Sequence, residues 1–150
     1  MKELLISAAL IVLAGSASAQ DAAKLVKTDN VAWRDHPFLR GAQIAVLVGD
    51  PRKTEVVVQR IKFPPNFRLP PHTHPYAEVV TVISGSVGFG MGEQFDLAKG
   101  EMVKAGSVNA VPAKAAHYVW TGNEGATLQI QFTGPGGINF INPADDPRKK

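Results

Sequence analysis

The run His72, Thr73, His74, with Glu78 four residues after the second histidine and Gly85 seven further on, constrains this chain more than any other segment. Side chains alternate faces along an extended strand, so His72 and His74 point one way and Thr73 the other. If residues 75–77 make only a short turn, Glu78 returns at the head of the next strand and adds a carboxylate to the two imidazoles. Two nitrogens and one oxygen converging outline a divalent transition-metal site. With only four histidines in 150 residues, the pattern arises by chance on the order of one time in a thousand. A surface turn bracketed by Pro70, Pro71 and Pro75 therefore accounts for it poorly.

A second constellation lies downstream: Gly106, Pro112, Lys114 and His117, spaced as GxxxxxPxKxxH. The two blocks resemble the paired motifs of the cupin superfamily, GxxxxxHxHxxxExxxxxxG and GxxxxxPxGxxHxxxN. The motifs with their spacer run from Asn66 to Thr121, and the β-rich flanks suit the same fold. The resemblance implies that His72, His74, Glu78 and His117 are metal ligands. It also implies a breadth of roles: dioxygenases, oxalate-metabolising enzymes, isomerases, and non-catalytic binders and sensors. Three positions depart from the pattern, and none is a ligand. Asn66 replaces the first Gly, a mild change because Asn tolerates left-handed backbone. Lys114 replaces the Gly of PxGxxH, so either the turn has another shape or Lys114 is strained by about 1–2 kcal/mol. Thr121 replaces the final Asn.

The rest of the chain predicts an all-β fold. Residues 43–48 and 55–63 are β-rich runs split by the turn signal Gly49, Asp50, Pro51. In the second run Val57, Gln59, Ile61 and Phe63 share one face, with Arg60 and Lys62 on the other. Residues 79–84 are apolar on both parities, as for a strand inside a sandwich. Gly85, Gly88, Gly90 and Gly92 mark a stretch where bends are cheap. Residues 117–121 and 126–133, joined by Gly122, Asn123, Glu124 and Gly125, predict a hairpin, and residues 138–141 a last strand. Only residues 22–27, outside the leader, hint at a helix. About ten short strands with Gly and Pro turns predict a jelly roll, the double-stranded β-helix barrel that encloses a cavity. The tail, 143–150, reads as polar and fraying at its end.

Parity counted back from His72 reaches Arg68, which would face the metal unless Pro70 and Pro71 shift the register. Facing inward it could hold an anionic substrate; facing outward it is an edge-strand charge. Gln129 and Gln131 share a face and are weak pocket candidates. Tyr76, Tyr118 and Trp120 read equally as packing or interface residues. His36 has no partner at ligand spacing and reads as a loop histidine.

The start of the chain combines Lys2, an apolar stretch at 4–14 and the small residues Ala17, Ser18 and Ala19, which together predict a secretory signal peptide cleaved after Ala19. The apolar run is shorter than the roughly 20 residues of a spanning helix, so the mature form, 20–150, is expected as a single soluble domain, periplasmic or secreted, with no membrane partner. There is no cysteine, which excludes disulfides, thiolate ligands and a thiol nucleophile. The net charge of +3 owes much to Arg52, Lys53 and the tail, Arg148 to Lys150. This solvated pattern lacks the basic stripe with aromatics that nucleic-acid binding needs.

Four ligands on an octahedral ion leave two positions open for a chelating substrate, or for substrate and dioxygen. Three imidazoles and a carboxylate suit one divalent Fe, Mn, Ni, Cu or Zn ion. The leading expectation is an exported metalloenzyme, an oxidoreductase resembling dioxygenases, acting on a small oxygen-bearing organic molecule, with Glu78 as ligand and catalytic base. The alternatives are a non-catalytic cupin that binds a metal or small ligand, and a β-barrel merely stabilised by its metal. Cupins commonly pair through sheet edges, so the resemblance allows a homodimer.

Overall fold

The computed structural model describes residues 23–149. The leader predicted at 1–19 and its predicted cleavage site lie outside them, as do Ala22 and Lys150. The described residues form nine strands: β1 (Arg34–Asp35), β2 (Gln43–Val48), β3 (Val56–Phe63), β4 (Arg68–Thr73), β5 (Glu78–Met91), β6 (Glu101–Lys104), β7 (Val108–Val111), β8 (His117–Thr133) and β9 (Asn139–Phe140). The described residues contain only short 3-10 turns besides these strands. Residues 23–27 are not helical; so short a run forms a helix only when packing supports it, and of its side chains only that of Val26 is partly buried. No helix among the described residues is long and apolar enough to cross a membrane.

Two long strands, β5 and β8, organise the barrel. They run antiparallel along their whole lengths, and each bends so that its halves belong to different layers. One layer is β1, β2, β3, the end of β8, the start of β5 and β7. The other is β9, β4, the start of β8, the end of β5 and β6. This is the expected jelly roll. The predicted hairpin at 117–133 is not formed, because both segments continue along β5 in the same direction. Residues 122–125 bulge out opposite Ser86 instead of reversing the chain. At this corner Gly85 (φ 73°) lies against Gly125 (φ 68°), and a Cβ on Gly85 would meet the Gly125 carbonyl oxygen at 2.2 Å. Glycine at the end of the first motif is thus a packing requirement of the bend.

Each bulge flips the inward parity. In β5, Glu78, Val80 and Val82 are buried before the bend and Val87 after it; in β8, His117 and Val119 precede it while Leu128, Ile130 and Phe132 follow. The inward set of both layers forms one core with Val57, Ile61, Phe63 and Leu69. The outer face of the first half of β5 is not covered: Val79 is 44% and Ile83 40% exposed. A strand apolar on both parities is here buried on one face only. Gly88 and Gly90 also differ from the flexible bends expected of them. They leave room for Trp120 and Tyr118, whose rings a Cβ would meet at 2.0 Å, and the Tyr118 hydroxyl donates to the Asp96 carbonyl at 2.6 Å.

Asn66 (φ 56°) and Lys114 (φ 63°) both adopt the left-handed backbone that glycine favours. The Lys114 amide donates to the His74 carbonyl at 2.8 Å, which ties this turn to the first motif. Thr121 makes a similar tie, donating to the Pro64 carbonyl at 2.6 Å and accepting from the Phe67 amide at 2.9 Å. Left-handed lysine costs about 1–2 kcal/mol, partly offset by the greater unfolded-state freedom of glycine. Lys114→Gly should therefore raise the melting temperature by about 2–4 °C, and Lys114→Val should lower it. Equal melting of all three proteins would show that the turn carries no strain.

Candidate metal centre

The bulge at Pro70 and Pro71 decides what β4 presents inward. Arg68 pairs with Trp120, Leu69 with Val119, and His72 with His117, so β4 spends one more residue than β8 between Leu69 and His72. Leu69 and His72 therefore both face the core. Arg68 faces out and is exposed, with its guanidinium 5.3 Å from the Phe95 ring centre. Gln129 and Gln131 also lie on the outer face, where Gln129 accepts from Arg60 Nε at 3.1 Å. None of the three lines the cavity.

His72, His74 and His117 converge, their ligand nitrogens all within 4.8 Å of one another. His72 and His117 are cross-strand partners with ring centres 4.2 Å apart. Glu78, the first residue of β5, lies beside two of them, placing Oε1 3.3 Å from His117 Nε2 and Oε2 3.8 Å from His74 Nε2. His72, Glu78 and His117 are buried. His36 is not part of this cluster; its Nδ1 accepts from the Leu39 amide at 3.1 Å, which closes the loop after β1.

Each of the three rings is oriented by a main-chain carbonyl. Nδ1 lies 2.7 Å from the Pro70 oxygen in His72, 2.6 Å from the Gly137 oxygen in His74 and 3.1 Å from the Ala115 oxygen in His117. A carbonyl only accepts, so Nδ1 carries a hydrogen, and in the neutral ring Nε2 keeps its lone pair. Tyr76 adds a side wall that the sequence left ambiguous. Its ring stacks on His74 and on Phe132, and its hydroxyl lies 3.2 Å from His74 Nδ1. Burial first, and the Glu78 carboxylate second, push the Tyr76 hydroxyl up, so it stays protonated.

Burial also holds His72 and His74 neutral. His72 is lowered from 6.5 to about 2, by desolvation first and then by His117 and His74. His74 moves the same way, burial outweighing the attraction of Glu78. The contact between Glu78 and His74 is therefore not an ion pair at neutral pH. His36, lowered to about 4 by burial and Arg34, adds to the same trend. The folded state favours neutral rings while the unfolded chain takes up protons below about 6.5, so stability is full above that pH and falls as pH drops towards 4. Between pH 6.5 and 5 the metal-free protein should lose roughly 2 kcal/mol through His72, at about 1.4 kcal/mol per unit. Urea unfolding at the two pH values checks this; unchanged stability would contradict burial of neutral rings.

The cluster opens into a cavity of about 330 Å³ inside the barrel. Its walls are mainly apolar, among them Ile61, Leu69, Val80, Ile130 and Phe132, and Gln59 stands among these. At the rim the tail departs from expectation. Residues 147–149 form a 3-10 turn, Asp146 is buried, and Arg148 donates to both its oxygens at 2.8 Å. The guanidinium lies 5.3 Å from the Phe38 ring centre and 5.8 Å from that of Phe140, tying the tail to the loop after β1 and to β9.

Comparison with known proteins agrees with this geometry. A family model described as cupin matches residues 50–136. Among solved structures, the polyketide cyclase RemF from Streptomyces resistomycificus is 20% identical, with a TM-score of 0.69 over 85% of this chain and 92% of its own. An RmlC-like cupin from Shewanella frigidimarina is 17% identical, with a TM-score of 0.60 over 75% and 91%. Oxalate oxidase in complex with the substrate analogue glycolate is 23% identical, with a TM-score of 0.57 over 79% and 63%. No curated protein matches the sequence.

Proposed function

The chain belongs to the cupin family, and from that premise we propose that it is a metal-dependent enzyme, an oxidoreductase acting on a small oxygen-bearing organic molecule inside the barrel. One observation carries the metal. Two Nε2 lone pairs face Glu78 oxygens at 3.3 and 3.8 Å, with both Nδ1 atoms turned to carbonyls. Electron pairs gathered this closely in a buried site repel one another unless a cation lies among them. His72, His74, His117 and Glu78 would hold one divalent Fe, Mn, Ni, Cu or Zn ion, a donor set that suits any of them. When bound, the ion would supply Lewis acidity towards substrate oxygens and, if redox-active, electron transfer.

The residues of the chain set the remaining chemistry. The main-chain carbonyls fix the imidazoles so that little reorganisation is needed when charge develops nearby. A ligand filling the mainly apolar cavity would displace water from it and strengthen each polar contact inside it. Glu78 is the carboxylate placed to take a proton from substrate. That relatives of the fold include a polyketide cyclase and an oxalate oxidase is consistent with chemistry on small oxygenated molecules. The test is turnover of small diketones, hydroxy acids, phenols and sugars by protein loaded with each of the five metals. Activity with one metal that vanishes on chelation supports the proposal; activity no greater than that of metal-free protein in every case favours a non-catalytic binder. We further propose export to the periplasm or medium, supported by the leader at 1–19. Intact mass of the secreted form should place its start at Gln20, and a retained leader would refute it.

A further inference from the structure

We propose that Gln59 selects the ligand of the barrel, a compact and mainly apolar molecule that meets the histidine cluster at one end and offers a neutral hydrogen-bonding group to Gln59 at the other. This rests on the reading that the cavity takes a small organic molecule beside the metal. Gln59 sits on the inward face of β3 between buried Val57 and Ile61, and it lines the cavity. Its cross-strand neighbours are Val46 on β2 and Ile130 on β8, which line the same cavity and offer only hydrocarbon. The Gln59 side chain makes no hydrogen bond to any described residue. On the opposite face of the same strand, Arg60 is paired with Gln129.

An amide carries two donors and an acceptor; Gln59 is part-buried, and a ligand that displaces water from it without replacing the lost bonds binds more weakly for that reason. A ligand that replaces those bonds avoids that loss, so Gln59 discriminates between molecules of like shape and unlike polarity. The register sets the span. Gln59 pairs with Ile130, Ile130 with Val80, and Val80 is one inward position beyond Glu78. Gln59 thus lies two strands across and two residues along from Glu78, about 10 Å by 7 Å on an unrolled sheet. A volume of about 330 Å³ falls at the small end of ligand pockets, which suits a molecule of one or two rings. The far end is neutral, because a charge buried among Val46, Ile61 and Ile130 would lack a counter-charge. Of the cationic lining groups, Arg148 is already occupied by Asp146 and Arg34 stands exposed at the rim.

The test uses zinc-loaded protein, which avoids redox turnover, and two probes of matched shape, acetylcatechol and isopropylcatechol, titrated by calorimetry. Both present paired oxygens to the metal, and only the acetyl group accepts a hydrogen bond. Wild type should bind acetylcatechol about tenfold more tightly, the equivalent of one good hydrogen bond. In Gln59→Met, which keeps the length of the side chain, and in Gln59→Leu, the preference should vanish or reverse with zinc content unchanged. Equal affinities in wild type, an unchanged ratio in both variants, or no binding of either probe by zinc-loaded protein would overturn the proposal while leaving the metal reading intact. A wild type that holds no zinc would overturn both.

Discussion

Metal affinity should fall by at least about a hundredfold in His72→Ala, a loss at or beyond that seen when partners outside the ligand set are removed. His72 is the most enclosed of the three rings, 1% exposed, and it meets His74 edge-on and His117 at a tilt. Its removal leaves two nitrogens that no longer enclose a point and opens a void beside the carboxylate. His117→Ala should behave alike. His36→Ala should keep its metal, because that ring bonds the Leu39 amide. Equilibrium dialysis against a competing chelator measures each affinity, with circular dichroism confirming that the barrel remains. Full occupancy in a His72→Ala, His117→Ala double variant would remove this site from consideration.

Glu78→Gln should lower turnover by about a hundredfold or more, the usual worth of a positioned base, with a smaller loss of metal affinity. Glutamine keeps the shape and one oxygen donor towards His117 Nε2, now 3.3 Å from the carboxylate, but it can neither take a proton nor neutralise the ion. An enzyme thus loses rate more than it loses metal, whereas a binder loses affinity alone. Determining kcat/KM and metal affinity on the same samples separates the two. Equal losses in both would reduce Glu78 to a structural ligand.

Much of the site was legible because it rests on strand alternation and short turns. His72 and His74 share a face, Glu78 heads the next strand, and Gln59 interrupts an apolar row, all as parity requires. What escaped was set by contacts distant in sequence. Gly122, Asn123, Glu124 and Gly125 have the composition of a hairpin turn, yet β5 continues alongside and pairs with both flanks, making them a bulge. Gly88 and Gly90 look like bends until the rings of Trp120 and Tyr118 lie across them. The polar tail looks free to fray, but Asp146 and Arg148 pair with each other, and the guanidinium lies across the Phe38 and Phe140 rings. The side chain of Arg68 turns outward because two prolines force one extra residue into β4, a shift parity flags without resolving.

The most direct test is an anomalous-scattering map from crystals of protein purified from its native compartment, recorded at the absorption edge of the metal found by elemental analysis. One ion per chain is expected, with peak density about 2.0–2.2 Å from Nε2 of His72, His74 and His117 and from a Glu78 oxygen. Protein that carries no metal, or a peak lying away from these four residues, would contradict a metal centre in this barrel.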